Sequence, residues 1–476
     1  MQLSSLIADL DGVRVIGAVD EIEITQVTMD SREVIPGALF CCVPGTISDG
    51  HSFLGEVVNA GALAVVTEHD HDGELSGCVE LRVATGMARP TASLLAGIFE
   101  GNPSARLTMV GVTGTNGKTT VAQMVGAILA SEGGTVEVLG TLSGARTTPP
   151  APELQRRLAS IVRDADERGD HGAAVMEVSS HALDQDRVAG IVFEVAAFTN
   201  LSHDHLDYHR TMESYFAAKA KLFLPESAKS VVIWAEDPFG QELLALRHDA
   251  VAVTWGDASE IALSIEGSTF TWRGYIVKLS LIGRFNIANA LVSLETAVSL
   301  GVDPERAAAA LSFMGAVDGR MERVGTTVQG ASIFVDYAHT PEALEKVIRE
   351  IREVIDLDKR VILVFGCGGD RDQEKRPLMG KVAAHYADIA IVTTDNPRGE
   401  KASEITQEIM RGALGLGDVR EIPDRREAIT QALSMATTGD AVIIAGKGHE
   451  STQIIGDVIT PFDDRAVARA LLEGVS

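Results

Sequence analysis

Gly111-Val112-Thr113-Gly114-Thr115-Asn116-Gly117-Lys118-Thr119-Thr120 is the stretch from which the rest of the chain can be read. Ahead of it, residues 107–112 form a short apolar run with β-branched members, which predicts a buried strand. Behind it, Val121, Met124, Val125, Ile128 and Leu129 recur at helical spacing, so a helix is predicted to begin near Lys118. A glycine-rich turn between a strand and a helix N-terminus is suited to phosphate. Glycines let backbone N–H groups close on the oxygens, and the helix dipole favours negative charge. Lys118 can reach the terminal phosphates, and Thr119 offers a hydroxyl to Mg²⁺. The usual nucleotide loop has a further glycine where Val112 stands, so the match is to Gly-Lys-Thr plus Gly114. The strand–loop–helix setting favours a nucleoside triphosphate site over a plain turn.

The chain has 476 residues, which at typical domain size predicts about three domains. Its hydrophobic content of 45% is enough for several cores. A formal charge of −26 argues against nucleic-acid or anionic-membrane partners. An acidic protein that binds an anionic nucleotide must concentrate its cations locally, so single Arg and Lys residues in loops become informative. The first residues lack a basic, then apolar, secretion pattern, and no apolar run is long enough to predict a membrane span. Cys41, Cys42, Cys78 and Cys367 lack metal-ligand spacing and read as thiols of a reducing cytosol.

A first unit covers residues 1–98. Its strand-like runs at 22–28 and 39–43 are followed by Met29-Asp30-Ser31-Arg32 and Pro44-Gly45-Thr46-Ile47-Ser48-Asp49-Gly50, and another run lies at 62–66. A second unit, 99–325, contains the phosphate loop. Its further strands at 173–176 and 192–198 end in Glu177-Val178-Ser179-Ser180-His181 and Thr199-Asn200-Leu201-Ser202-His203-Asp204-His205. Ligands of parallel sheets sit beyond the strand C-termini. On that ground Glu177 and His205, read as lying on adjacent strand ends, become candidates to share a metal ion. A helix is predicted over 212–223, where the pattern makes Lys219 and Lys221 solvated lysines. Another helix opens near 284 and runs to about 300, with Asn286 and Asn289 on one face.

The third unit, 326–476, alternates strands (333–335, 361–365, 389–392, 441–445) with helices (342–355, 375–386, 402–414, 425–435). This βαβ series predicts a doubly wound sheet. Its strand-end loops contain Asp336 and His339, Gly366 to Arg371, Asp395-Asn396-Pro397-Arg398, and Gly446-Lys447-Gly448-His449-Glu450. Gathered on one edge, they would present Arg371 and Arg398 to carboxylates and Asp395 and Glu450 to ammonium groups, a crevice suited to a zwitterion.

Together these segments resemble the Mur ligase family of peptidoglycan synthesis. Gly114-Thr115-Asn116-Gly117-Lys118-Thr119-Thr120 looks like that family's ATP loop, and the resemblance spans nearly the whole chain. It implies an α/β protein of three domains: an N-terminal UDP-substrate domain, a central P-loop ATPase-like parallel-sheet domain and a C-terminal Rossmann-like domain. Lys118, Glu177, His205 and Lys219 would be catalytic. Thr119, Glu177, His205 and a carbamylated Lys219 would hold Mg²⁺. Asn286, Arg320, Asp336 and His339 would join the loop around ATP. Met29 and Ser31, with the loop at Thr46-Ile47-Ser48, would hold the uridine end of the substrate. Thr147, Thr148, Ser179, Gln185 and Arg187 would contact its sugar-peptide part. Arg146 stands where the family pattern has asparagine.

Asp395-Asn396-Pro397-Arg398, with Arg371, Gly446 and Glu450, is similar to the branch that adds meso-diaminopimelate to UDP-N-acetylmuramoyl-L-alanyl-D-glutamate. Arg398 can pair with a second carboxylate, whereas a lysine side chain would meet it with like charge. The expected reaction is an ATP-dependent amide ligation through an acyl phosphate, carried out by a cytoplasmic monomer on small-molecule substrates. The alternatives are an L-lysine-adding relative, a folylpolyglutamate synthase-like ligase, for which the Asp395 to Arg398 loop is not expected, and a non-catalytic nucleotide-binding protein.

Overall fold

Six parallel strands organise the middle of the chain, in the order Val251–Val253, Ala228–Trp234, Phe193–Phe198, Thr108–Thr113, Gly172–Glu177, Thr135–Leu139. This computed structural model describes residues 1–45, 48–69, 75, 77–144 and 146–474. Alternation along Thr108–Thr113 explains the layering. Val110 and Val112 pack with Val121, Met124, Val125 and Ile128 of the helix Lys118–Ser131. Met109 joins Leu154, Leu158 and Ile161 of the helix Ala151–Arg168 on the opposite face. Burial on both faces is why these strands read as continuous apolar runs.

The phosphate-loop strand lies between Gly172–Glu177 and Phe193–Phe198. The strands leading to Glu177 and His205 therefore flank it and do not pair with each other, which corrects the adjacency inferred from sequence. Pairing order depends on contacts far apart in the chain, and no local pattern encodes it. The reading of Lys219 as solvated is also overturned. The helix Met212–Ala220 packs beneath the phosphate loop, and Lys219 is 1% exposed.

A three-stranded antiparallel sheet, Ser259–Ser264, Gly267–Trp272 and Tyr275–Leu279, adds Phe270, Trp272 and Val277 to the central core. The sequence reading did not anticipate it. The helix Arg284–Ser299 follows, carrying Asn286 and Asn289 buried near its start.

The C-terminal sheet has the order Glu322–Thr326, Ser332–Asp336, Ala441–Ala445, Val361–Phe365, Ile389–Val392, Val419–Glu421, all parallel except the first pair. Glu322–Thr326 thus belongs to the C-terminal sheet, although it begins before residue 326. Helices Pro341–Val354, Lys375–Tyr386, Ala402–Ala413 and Arg425–Met435 lie close to their predicted spans. The first has proline at its start and Thr340 accepting a hydrogen bond from the Ala343 N–H, a typical helix N-terminus. Leu363 and Phe365 face one core, and Ile362 and Val364 the other.

The N-terminal sheet has the order Arg14–Ile16, Val79–Arg82, Ala64–Thr67, Ala38–Cys41, Gln26–Thr28, with only the first pair antiparallel. The helix Ala88–Phe99 covers one of its faces. Among the described residues no helix is long and apolar enough to cross a membrane.

Candidate active site

The phosphate loop is shaped by two glycines that a side chain could not replace. Gly114 has φ +152°, and a Cβ there would lie 1.9 Å from Thr199 Oγ1. Gly117 has φ +87° and caps the helix Lys118–Ser131, where a Cβ would lie 2.5 Å from Asn289 Oδ1. Lys118 Nζ donates to the carbonyls of Gly114 and Thr115, each at 2.9 Å. Burial lowers the pKa of this ammonium, while Glu177 and Asp204 oppose the shift. Thr115 lies 3.2 Å from Tyr215 Oη, and the Asn200 side chain brackets Asn116, accepting from its N–H and donating to its carbonyl at 3.0 Å each. Thr120 is buried in the first turn of the helix.

Thr119, Glu177 and Arg320 meet at one hydroxyl. Thr119 Oγ1 donates to Glu177 Oε2 at 2.9 Å, and Arg320 Nη2 donates to Thr119 Oγ1 at 3.0 Å. Glu177 also accepts from the Thr141 N–H at 2.7 Å and from its hydroxyl at 3.2 Å. Lys219 Nζ donates to the Gly114 carbonyl at 2.8 Å and to Thr113 Oγ1 at 3.4 Å, with the Tyr215 ring 4.7 Å away. Burial, reinforced by Lys118, lowers its pKa well below that of a free lysine. His205 has φ +54°, a left-handed conformation uncommon for a side-chain-bearing residue. Burial pushes its imidazole down to about 4, with Asp204 opposing and Lys118, His181 and Lys219 assisting.

The residues expected around the nucleotide come together across two sheets. Arg320 lies 4.6 Å from the Tyr337 ring, and its Nε is buried without a hydrogen-bond partner among the described residues. Asp336, whose pKa burial raises, accepts from the N–H groups of Met321 and Ala338 at 2.7 Å each. His339 Nδ1 is 2.8 Å from the Tyr337 carbonyl, and Lys375 donates to the His339 carbonyl at 2.9 Å. Asn286 Oδ1 accepts from Asn289 Nδ2 at 3.2 Å. Beside the loop is a cavity of about 300 Å³ lined by Asn200, Asn289, Trp234, Trp255, Phe285 and Lys346 among others. Its aromatic walls and amide rim suit a flat heterocycle. The sequence reading assigned none of these six residues a role, although Asn289 stands three positions after Asn286.

From Glu177 a polar chain leads outward. Thr148 Oγ1 donates to the Glu177 carbonyl at 2.8 Å and accepts from the Ser179 N–H at 3.0 Å. Arg187 donates to the Thr148 carbonyl at 2.7 Å and to Gln185 Oε1 at 2.7 Å, and Thr147 Oγ1 lies 3.1 Å from Thr141 Oγ1. Thr147, Thr148, Ser179, Gln185 and Arg187 therefore form one patch. Met29 and Ser31 lie in the N-terminal unit, directly after the strand Gln26–Thr28. Thr46 and Ile47 fall outside the described residues.

The third cluster carries both charges. Arg398 Nη1 donates to the Gly369 carbonyl at 2.8 Å. Glu450, whose pKa burial and then Asp395 raise, accepts from Asn396 Nδ2 at 2.7 Å, and Lys447 Nζ lies 3.4 Å away. Arg371 is exposed. A Cβ on Gly446 would lie 2.7 Å from Asp395 Oδ2, so only glycine lets these loops approach so closely. Pro397 is buried, and its carbonyl would lie 1.9 Å from a Cβ on Gly369. Sequence reasoning missed Arg376, which is buried beneath these loops and paired with Glu400 and Glu408. Glu400 in turn accepts from the Asp370 N–H.

Elsewhere among the described residues, Asp49, His51 and His69 group metal-ligand side chains. Both His51 nitrogens are engaged, however, Nδ1 with Asp49 at 2.6 Å and Nε2 with the Glu68 N–H at 3.0 Å, as expected of a structural turn.

Three family models match in sequence order. Residues 23–96 match the Mur ligase family catalytic domain, 112–297 the Mur ligase middle domain, and 319–448 the Mur ligase glutamate ligase domain. A UDP-N-acetylmuramoyl-L-alanyl-D-glutamate--2,6-diaminopimelate ligase of Syntrophomonas wolfei is 41% identical, covering 100% of this chain and 99% of its own. One of the same name from Gloeobacter violaceus is 42% identical, covering 95% and 94%. A solved structure of a UDP-N-acetylmuramoyl-L-alanyl-D-glutamate--2,6-diaminopimelate ligase superposes with a TM-score of 0.67 at 29% identity, covering 100% of this chain and 99% of that one. Folylpolyglutamate synthase of Mycobacterium tuberculosis shares the fold, at TM-score 0.60 and 19% identity over 81% of this chain and 95% of that one.

Proposed function

This chain belongs to the Mur ligase family, and we propose that it ligates meso-2,6-diaminopimelate to UDP-N-acetylmuramoyl-L-alanyl-D-glutamate in peptidoglycan precursor synthesis, converting ATP to ADP and phosphate. The observation that carries this reading is the mixed-charge set on the C-terminal loops: Arg371, Asp395 and Glu450 lie near Tyr337, whose ring faces Arg320, the residue that donates to Thr119 of the phosphate loop, and Arg398 is held on the neighbouring Gly369 carbonyl. Diaminopimelate has two carboxylates and two amines, and the cluster offers groups of opposite sign to both kinds. The L-lysine-adding alternative would bring a terminal ammonium to Arg398, and like charge disfavours it.

ATP fits the loop and its surroundings. Backbone N–H groups and Lys118 would hold the phosphates, Arg320 Nε, without a partner among the described residues, would be available to an anion, and the cavity beside Asn200 and Asn289 would take the base. The donor set Thr119, Glu177, His205 and a carbamylated Lys219 suits magnesium, which supplies charge neutralisation at the transferring phosphoryl group when bound. Burial, reinforced by Lys118, lowers the pKa of the Lys219 ammonium and so favours the uncharged amine more than in a free lysine. Such an amine adds to CO₂ and releases a proton, leaving a carbamate anion.

The γ-carboxylate of the D-glutamyl residue, presented by the patch of Thr148, Ser179, Gln185 and Arg187, attacks the γ-phosphorus of ATP. ADP leaves with the bond's electron pair. The deprotonated amine of diaminopimelate, placed by the C-terminal loops, then attacks the acyl carbon, and phosphate leaves. Lys118 and Arg320 offset charge on the phosphoryl group, and no covalent enzyme intermediate is required. Met29 and Ser31 would hold the uridine end. Three of the four cysteines are buried, which suits the reducing cytoplasm, and the chain is proposed to act as a monomer. The test is ADP release, which should require the nucleotide dipeptide and the diamino acid together. Equal ATP turnover without either would contradict a ligase.

A further inference from the structure

The hairpin Thr452–Ile455 and Val458–Pro461 has little core of its own, since Ile455, Val458 and Ile459 are all more than half exposed. An isolated two-stranded ribbon is marginally stable in water. What fastens this one is the loop 395–398. The Arg398 N–H donates to the Ile454 carbonyl at 3.1 Å, and the Gly456 N–H donates to the Arg398 carbonyl at 2.7 Å. The Ile454 N–H donates to Asn396 Oδ1 at 3.0 Å, and Gln453 Nε2 donates to the Asp395 carbonyl at 2.9 Å. Lys447, fully buried, donates to the Thr452 carbonyl at 2.6 Å. Both backbone groups of Arg398 are thus committed to the hairpin, and Arg398 has φ +51°, a conformation that residues with a side chain rarely adopt.

We propose that this hairpin is the positioning element for Arg398, holding its backbone left-handed so that its guanidinium rests on the Gly369 carbonyl and meets the second carboxylate of the amino-acid substrate. The proposal rests on the reading that residues 395–398 bind that substrate. Released from the hairpin, Arg398 would relax to an ordinary φ, and its side chain would leave Gly368-Gly369. The hairpin would then set specificity without touching the ligand.

Gly456, at φ +58° with open space around it, is the place to break the clamp. Proline there removes the N–H that the Arg398 carbonyl accepts and forces φ negative. In the full-length chain, Gly456→Pro should raise KM for diaminopimelate by roughly tenfold or more and erode its preference over L-lysine, with KM for ATP within about twofold. Gly456→Asn, which keeps the N–H to the Arg398 carbonyl, should raise that KM less than Gly456→Pro does. Combined with Arg398→Ala, Gly456→Pro should add nothing to the loss that Arg398→Ala causes alone. Should Gly456→Pro not fold, Gly456→Ile, strained in φ but unobstructed, replaces it under the same expectations. If Arg398→Ala raises KM for diaminopimelate while the folded Gly456 variant does not, the clamp is refuted and the substrate reading stands. If Arg398→Ala leaves that KM unchanged, the substrate reading itself fails.

Discussion

Lys219 Nζ donates to the carbonyl of Gly114 at 2.8 Å, so the side chain of one helix supports the underside of a loop 105 residues earlier in the chain. Burial, and after it the nearby Lys118, disfavour an ammonium here. This is how a residue that looks solvated by pattern can be suited to becoming an anion. Lys219→Ala should lower turnover by roughly 10²-fold or more, as expected when a charge-stabilising group is removed from a closed site. Added short carboxylates such as formate or acetate should restore part of it. Steady-state rates with and without carboxylate check this, and full activity of Lys219→Ala would remove the residue from the mechanism.

Arg320 bridges the central and C-terminal sheets through Thr119 and carries a buried Nε without a partner among the described residues. Lysine would keep the charge but lose the planar fork. Arg320→Lys should therefore raise KM for ATP by about tenfold, since charge-assisted bonds contribute roughly 1.5–3 kcal/mol. KM for diaminopimelate should be unchanged, and kinetics with each substrate varied in turn distinguish the two.

His449 lies beside Tyr337, and burial, with Arg320 and then Arg465, pushes its imidazole from 6.5 down to about 4. Below pH 6.5 the unfolded chain takes up a proton that the folded chain refuses until about pH 4. The stability linked to His449 is therefore present above pH 6.5 and lost across that window as pH falls, by about 1–2 kcal/mol at pH 5. Urea midpoints at pH 7 and pH 5 should differ less in His449→Gln than in wild type.

Arg425 and Asp464 are both fully buried and paired through two bonds of 2.8 and 2.7 Å, while Arg425 Nη2 also donates to the Ala445 carbonyl just ahead of Gly446. Removing one partner leaves a charge stranded, so Asp464→Ala should cost about 3–5 kcal/mol in denaturant unfolding. Arg425→Met with Asp464→Leu should cost clearly less than the sum of the two single changes. Additive losses would show that the ions act independently.

The phosphate loop and the C-terminal helices were legible because their signals are local. Glycines at a strand–helix junction and 3.6-residue periodicity need no knowledge of distant contacts. The sheet Ser259–Leu279 escaped because its strands are short, the first two carry several serines and threonines, and all are partly exposed. The burial of Lys219 and the cavity between Asn200 and Asn289 arise where segments distant in sequence meet. The order of the strands carrying Glu177 and His205 could not be read for the same reason. Asn396 shows the opposite limit. Its motif marks it as a substrate residue, and its buried amide is also engaged with Glu450, Ile454 and Lys447, a role in building the loop that the motif does not reveal.

The charges around Arg398 are proposed to select a diamino diacid. The most direct test is product formation with ATP, UDP-N-acetylmuramoyl-L-alanyl-D-glutamate and, in turn, meso-diaminopimelate and L-lysine, followed by mass. The tripeptide product is expected with diaminopimelate, and little or none with lysine. Efficient turnover with lysine and none with diaminopimelate would contradict that selection.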